Sequence, residues 1–259
     1  MNTLTVEQAV FASSDRGRLK GYQLVARSSG IDAALGQELC RWAPTKFPSH
    51  DSEQWTLNYY PINQDRVAVT RTVLGGPEYS GRGGTQVVTL ILVLDKPTFV
   101  AYGCNPIHVA KHALAMGALS LPLELVHDAL PPATLPSEPI VEAPQWRLGD
   151  GASAPICESL CAQIIHLVNQ SQRIAVVGLQ NPIDALSHLL PMLSPEQRWN
   201  LSFTTGLAPT AVRPFQLHCL TTADAARQRT LDAQDIVRVD ATAVGTTSAA
   251  STLDLSGRT

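Results

Sequence analysis

The chain has no run of five or six basic residues, and its formal net charge is −3. That excludes a global positive field of the kind that attracts nucleic acid. The apolar run Val87–Leu94 is far too short for a membrane-spanning helix. The opening residues, MNTLTVEQAV, lack the basic-then-apolar order of a signal peptide. The expected location is therefore the cytoplasm, where cysteines stay reduced. Cys40, Cys104, Cys157, Cys161 and Cys219 are odd in number and dispersed, which suits neither a disulfide framework nor a zinc site. The glycine fingerprints of nucleotide folds, GxGxxG and GxxxxGK[ST], are missing, as is the GxSxG nucleophile elbow. No close carboxylate pair adjoins an apolar run in a way that would shift a pKa for acid–base work. No catalytic residue, cofactor site or metal site emerges from the sequence.

What is present is a folded-protein composition, 44% hydrophobic and 16% charged, over 259 residues. That length accommodates two domains of ordinary size. The most informative stretch is Glu78–Leu94, EYSGRGGTQVVTLILVL. A glycine turn with one arginine, Ser80-Gly81-Arg82-Gly83-Gly84, runs into a Val/Leu/Ile/Thr segment. Glycine opens backbone conformations closed to other residues. The uninterrupted apolarity of Gln86–Leu94 predicts a strand buried on both faces.

Before it, Gln8–Ser13 and Gly21–Arg27 read as strands joined by a polar turn. Asp32 caps a predicted helix to about Trp42, with Leu35, Leu39 and Trp42 on one face. Pro44 and Pro48 end it. Trp55–Ile62 and Arg66–Leu74 read as a hairpin, with Val67, Val69 and Val73 on one face interrupted by Arg71. Gly75-Gly76-Pro77 is expected to break the pattern. Asn105-Pro106 starts a helix to about Ala118, with a capping side chain and proline at the first helical position.

Prolines 131, 132, 136, 139 and 144 mark residues 128–153 as an extended spacer between domains. The second half alternates helix and strand: a helix over Pro155–Gln170, strand Arg173–Gly178, a helix from Asn181-Pro182 to Leu190, then strands Trp199–Thr205, Pro214–Leu220 and Ile236–Val239. This predicts an α+β N-terminal domain with a mainly antiparallel sheet over 1–127, followed by a smaller α/β domain over 154–240. The Ala/Thr/Ser/Gly-rich residues 241–259 are expected to form a disordered tail.

Each chemical signal has a plainer reading. His108 and His112 have metal-ligand spacing, but two ligands without a third do not make a site. Cys157 and Cys161 fall on the apolar face of Ile156, Leu160 and Ile164, where thiols pack as small hydrophobes. The segment RIAVVGLQNP has the strand–loop–helix order of a phosphate site but lacks its glycines. The Gly81, Arg82, Gly83, Gly84 turn is the candidate partner or ligand loop: its N–H groups can form an anion-binding concavity, and Arg82 supplies charge. Its plainer reading is a tight turn before a strand.

Several motifs resemble the bacterial GTPase-associated protein family. They are Gln8-Ala9-Val10-Phe11, Gly21–Gly30 (GYQLVARSSG), Ser80–Gly84 before the long strand, and Asn105-Pro106. The later block Arg198–Gly206 (RWNLSFTTG), with Arg213-Pro214-Phe215, resembles the family's middle domain. Thr89 stands where many relatives carry histidine. The resemblance reaches from Gln8 to about Leu220. It implies a non-enzymatic adaptor or scaffold in a GTPase-linked system connected with conflict or defence, with a protein partner such as a GTPase or its complex. It implies neither cofactor nor catalytic residue. The alternative is a small-molecule sensor or enzyme using a cleft between the domains, for which the Arg82 turn is the favouring feature.

Overall fold

Long apolar-alternating segments in the first half and short, wholly apolar ones in the second build one sheet in two ways. The computed structural model describes residues 3–15, 20–47, 55–78, 84–122, 128–137 and 158–242. The first half supplies β1 (Thr3–Ser14), β2 (Gly21–Arg27), β3 (Trp55–Pro61), β4 (Arg66–Pro77) and β5 (Thr85–Asp95). These pair antiparallel in the order β3-β4-β5-β1-β2. Two short strands follow: β6 (Asp128–Ala129) beside β2, and β7 (Ala133–Pro136) against the start of β1. The second half adds β8 (Ile174–Val177), β9 (Phe203–Thr204), β10 (Leu217–Leu220) and β11 (Val237–Asp240), joined by parallel pairings in the order β11-β8-β10-β9. β9 then pairs antiparallel with β3, placing Thr204 opposite Asn58 and Phe203 opposite Tyr59. The result is an α+β fold on a mainly antiparallel sheet.

Helices cover both faces. On one lie α2 (Lys96–Ala101), α3 (Pro106–Ala115), α4 (Glu158–Asn169) and α5 (Pro182–Leu189), packed on Val69, Val88, Leu90, Leu92 and Phe203. On the other, α1 (Ala33–Trp42) buries Leu35 and Leu39 against Phe11, Tyr60, Ile91 and Val93. Further along that face, α7 (Ala225–Ala233) contributes Leu231 to a separate cluster with Val177 and Leu220. β5 is thus buried on both faces, as its continuous apolarity required. The helix starts also follow their local signals. Asp32, Asn105 and Asn181 accept hydrogen bonds from first-turn N–H groups, and Pro106 and Pro182 stand at the first helical position. Ala43, just before Pro44, is already extended and ends α1.

Four expectations are corrected. Gly75-Gly76-Pro77 does not end β4; the strand continues through a register shift between Leu74 and Pro77, which absorbs the glycines as a bulge. Trp199 and Asn200 are helical rather than extended, because α6 (Pro195–Asn200) begins at a capping box in which Ser194 and Gln197 satisfy each other's backbone. α2 and α7 add two helices to the expected set; each starts at an aspartate cap, Asp95 and Asp224. The spacer expected over 128–153 opens as sheet: β6 and β7 both pair with the first-half strands. Its remainder past 137, and most of the tail expected over 241–259, lie outside the described residues.

Candidate functional site

The β3–β9 pairing is the seam between the halves, and a buried polar ladder crosses it. Asn58 donates through Nδ2 to Thr70 Oγ1 at 3.1 Å and accepts through Oδ1 from Thr204 Oγ1 at 2.6 Å. Thr204 Oγ1 accepts in turn from Leu207 N–H at 3.0 Å, and Thr205 Oγ1 accepts from Leu57 N–H at 2.8 Å. Thr72 and Thr89 share a hydrogen bond of 3.1 Å. Thr89 is therefore a buried member of this ladder. A satisfied buried network of this kind penalises any other register. His218 stands opposite Thr204 in β10, next to the ladder but not bonded into it. It is fully buried, and neither ring nitrogen has a hydrogen-bond partner among the described residues. Burial first, then the neighbouring positive charge of Arg173 and Arg227, lowers its pKa from 6.5 to about 3. The backbone of Leu207 and Phe215 opposes that shift without making a hydrogen bond of normal geometry.

A cleft lies at each end of the seam. At the start of β3, an open cleft of about 250 Å³ is lined by Trp55, Gln180, Asn181, Pro182, Ile183 and Thr205. The Arg71 guanidinium sits 5.0 Å from the Trp55 ring centre and donates to Leu119 C=O at 3.0 Å. This is where RIAVVGLQNP leads. Its helix end is already occupied: Asn181 Oδ1 accepts from the N–H groups of Ile183 and Asp184, and its Nδ2 donates to Asp184. An acid and an asparagine at the helix start disfavour an incoming phosphate.

At the other end of β3 a larger groove of about 480 Å³ opens between α2 and α6. The first half contributes Gln64, Lys96 and Val100; the second contributes Glu196, Trp199 and Asn200. Val100 is 55% exposed. Lys96 Nζ lies 5.3 Å from the Trp199 ring centre. Two bonds brace the walls. Tyr59 donates its hydroxyl proton to Trp199 C=O at 3.0 Å, and Arg198 Nη1 donates to Gly103 C=O at 2.8 Å. Cys104 also lines the groove. Burial pushes its thiol pKa up, while the charges of Arg198 and Lys96 pull the other way. The sequence reading missed this groove because it missed α2 and α6. The legible signals were the Asp95-Lys96-Pro97 start and the Ser194-to-Gln197 capping box.

The glycine turn joins β4 to β5, at the same end of the sheet as the Trp55 cleft. Its base is closed by Glu78 N–H donating to Gly84 C=O at 2.8 Å. Gly81, Arg82 and Gly83 lie outside the described residues. The Ser28-Ser29-Gly30 motif clamps the start of the sheet, since Ser28 Oγ and the Gly30 N–H both donate to the Glu7 carboxylate. Cys161 packs in the α4 core, as its place on the apolar face required, and burial pushes the Cys219 thiol up to about 12. Cys157 lies outside the described residues. His108 and His112 share the flank of α3, and among the described residues no group of three or more His, Cys, Asp or Glu could hold a metal ion. Among the same residues no helix is long and apolar enough to cross a membrane.

The fold and its two clefts define an α+β protein in which an antiparallel N-terminal sheet is extended across a polar seam. Residues 5–132, the β1–β5 core with α1–α3 and β6, match the family model described as GTPase-associated protein 1, N-terminal domain type 2. This match, over just under half of the chain, supports a GTPase-associated protein family. No curated protein and no solved structure matches the chain.

Proposed function

We propose that this chain is a non-enzymatic adaptor or scaffold of a bacterial GTPase-associated system, connected with conflict or defence. It acts in the cytoplasm by binding another protein, a GTPase or its complex. The observation that carries this reading is the match of residues 5–132 to the GTPase-associated N-terminal domain. Residues 154–240 then serve as the middle unit of the family, and the Gly81–Gly84 turn with Arg82 as one partner contact. The bracing of the groove between the halves supports a preformed surface, which lowers the ordering cost of association. The test is purification of the tagged chain from its native cell, followed by reconstitution with the purified GTPase that accompanies it. Direct binding is expected, with no GTP or ATP hydrolysis by the chain alone. Failure of every accompanying GTPase to bind the purified chain would overturn the adaptor reading.

A second reading, a small-molecule sensor or enzyme using the space between the halves, is favoured by the Trp55 cleft with Arg71 beside it. Its measurement is the melting temperature of the chain alone against a metabolite panel. A saturable rise lost in Trp55→Ala would support it.

A further inference from the structure

We propose that the groove between α2 and α6 docks an extended peptide segment of the protein partner. The segment carries an acidic side chain for Lys96, an apolar side chain for the Val100–Trp199 floor, and a basic side chain for Glu196. This rests on the partner-binding reading above and names the site and the chemistry it selects.

The floor is the first argument. α2 buries Phe99 completely on the sheet, while the adjacent Val100 is 55% exposed at the groove. Trp199 presents a half-buried aromatic face beside it, the side-chain type enriched at energetic centres of interfaces. The rim is the second. Among the described residues, the side chains of Gln64, Lys96, Glu196 and Asn200 find no hydrogen-bond or ion-pair partner. Their neighbours Gln197 and Arg198 are fully engaged, Gln197 with Ser194 and Asn169, and Arg198 with three carbonyls. The unengaged donors and acceptors are thus gathered around an apolar floor, the anatomy of a recognition site, and the volume lies within the range of about 300–1,000 Å³ typical of ligand clefts.

Charge placement is the third argument. Lys96 occupies the first turn of α2, the helix end that favours an acid over a base. Helix stability does not account for it there. The Trp199 ring holds its ammonium over the groove, and no carboxylate among the described residues pairs with it. A partner carboxylate would complete that arrangement. Glu196, in the first turn of α6, offers the opposite charge on the second-half wall. A segment reading acid, apolar, base therefore matches the groove from one wall to the other. Because the two walls come from different halves, the same segment would bind across the seam.

The test uses the full chain and a phage-displayed library of random peptides about twelve residues long. Enriched peptides are expected to place an acidic residue next to an apolar one. A synthetic peptide from that set should bind about tenfold or more weakly to Val100→Asp and to Lys96→Glu, read by fluorescence polarisation. Both variants should keep the wild-type melting temperature, because Val100 is exposed and glutamate suits the first turn of a helix. Replacing the acidic residue of the peptide by lysine should restore binding to Lys96→Glu. No enrichment, equal binding to the variants, or no rescue by the charge swap would overturn the groove assignment. In parallel, the accompanying GTPase is titrated with wild type and Val100→Asp. Binding that survives in Val100→Asp overturns the groove while the adaptor reading stands. No binding even to wild type overturns the adaptor reading, and the peptide titration then decides the groove by itself.

Discussion

Mild acid should destabilise this protein through His218. The imidazole is fully buried with no hydrogen-bond partner among the described residues, and its pKa falls from 6.5 to about 3 because burial, Arg173 and Arg227 all oppose a charge there. Between those two values the unfolded chain binds a proton at His218 that the folded chain does not. Stability therefore rises with pH across the window; it is complete above 6.5 and is lost as pH falls toward 3. The slope is about 1.4 kcal/mol per pH unit for one such group, or about 2 kcal/mol lost between neutral pH and about pH 5. That is a large share of a typical stability of about 5–15 kcal/mol. The assay is urea unfolding of wild type and His218→Leu at several pH values from about 8 to 5. Carboxylates titrate alike in both proteins, so the difference between the two curves isolates His218. Wild type should lose about 2 kcal/mol more than the variant on acidification. At about pH 8 the variant should match or exceed wild type, since leucine leaves no buried nitrogen without a partner. Parallel curves, or an imidazole titrating near 6.5 by NMR in the folded protein, would refute the reasoning.

Four further outcomes follow from the packing. Val88→Asp should abolish cooperative folding, because Val88 is completely buried and an unpaired carboxylate there costs several kcal/mol; an unchanged melting temperature would contradict the burial of β5. Thr204→Val should cost about 2–4 kcal/mol in chemical denaturation, leaving Asn58 Oδ1 and Leu207 N–H unsatisfied, while Thr204→Ser should cost much less. Gly30→Ala should destabilise by about 1–2 kcal/mol, since its Cβ would stand 2.3 Å from the Glu7 carboxyl carbon and displace the clamp; the same change in a Glu7→Ala background should cost little. Residues 1–137 and 154–259, expressed as separate chains in one cell, should co-purify through the β3–β9 seam, and Asn58→Asp should weaken that association; fragments that never associate would place the two halves in independent units.

Local signals carried much of the fold. Asp32, Asn105 and Asn181 start helices because one side chain and the next few N–H groups suffice to form a cap, and Pro106 and Pro182 already hold the required φ. The apolar run of β5 announced burial on both faces by its own composition. These features depend on neighbours in sequence, so sequence alone determined them, along with the family resemblance that residues 5–132 bear out. The seam and the groove depend on residues about 100 or more positions apart. Asn58 meets Thr204, Tyr59 meets Trp199, and Arg198 meets Gly103 only after β9 has docked on β3. A proline-rich stretch marks where regular hydrogen bonding is locally weak, but it carries no information about which strands pair across it. That pairing is decided by non-local backbone hydrogen bonds and by the buried partners that Asn58, Thr70 and Thr204 find in one another, and the tertiary structure alone brought them together.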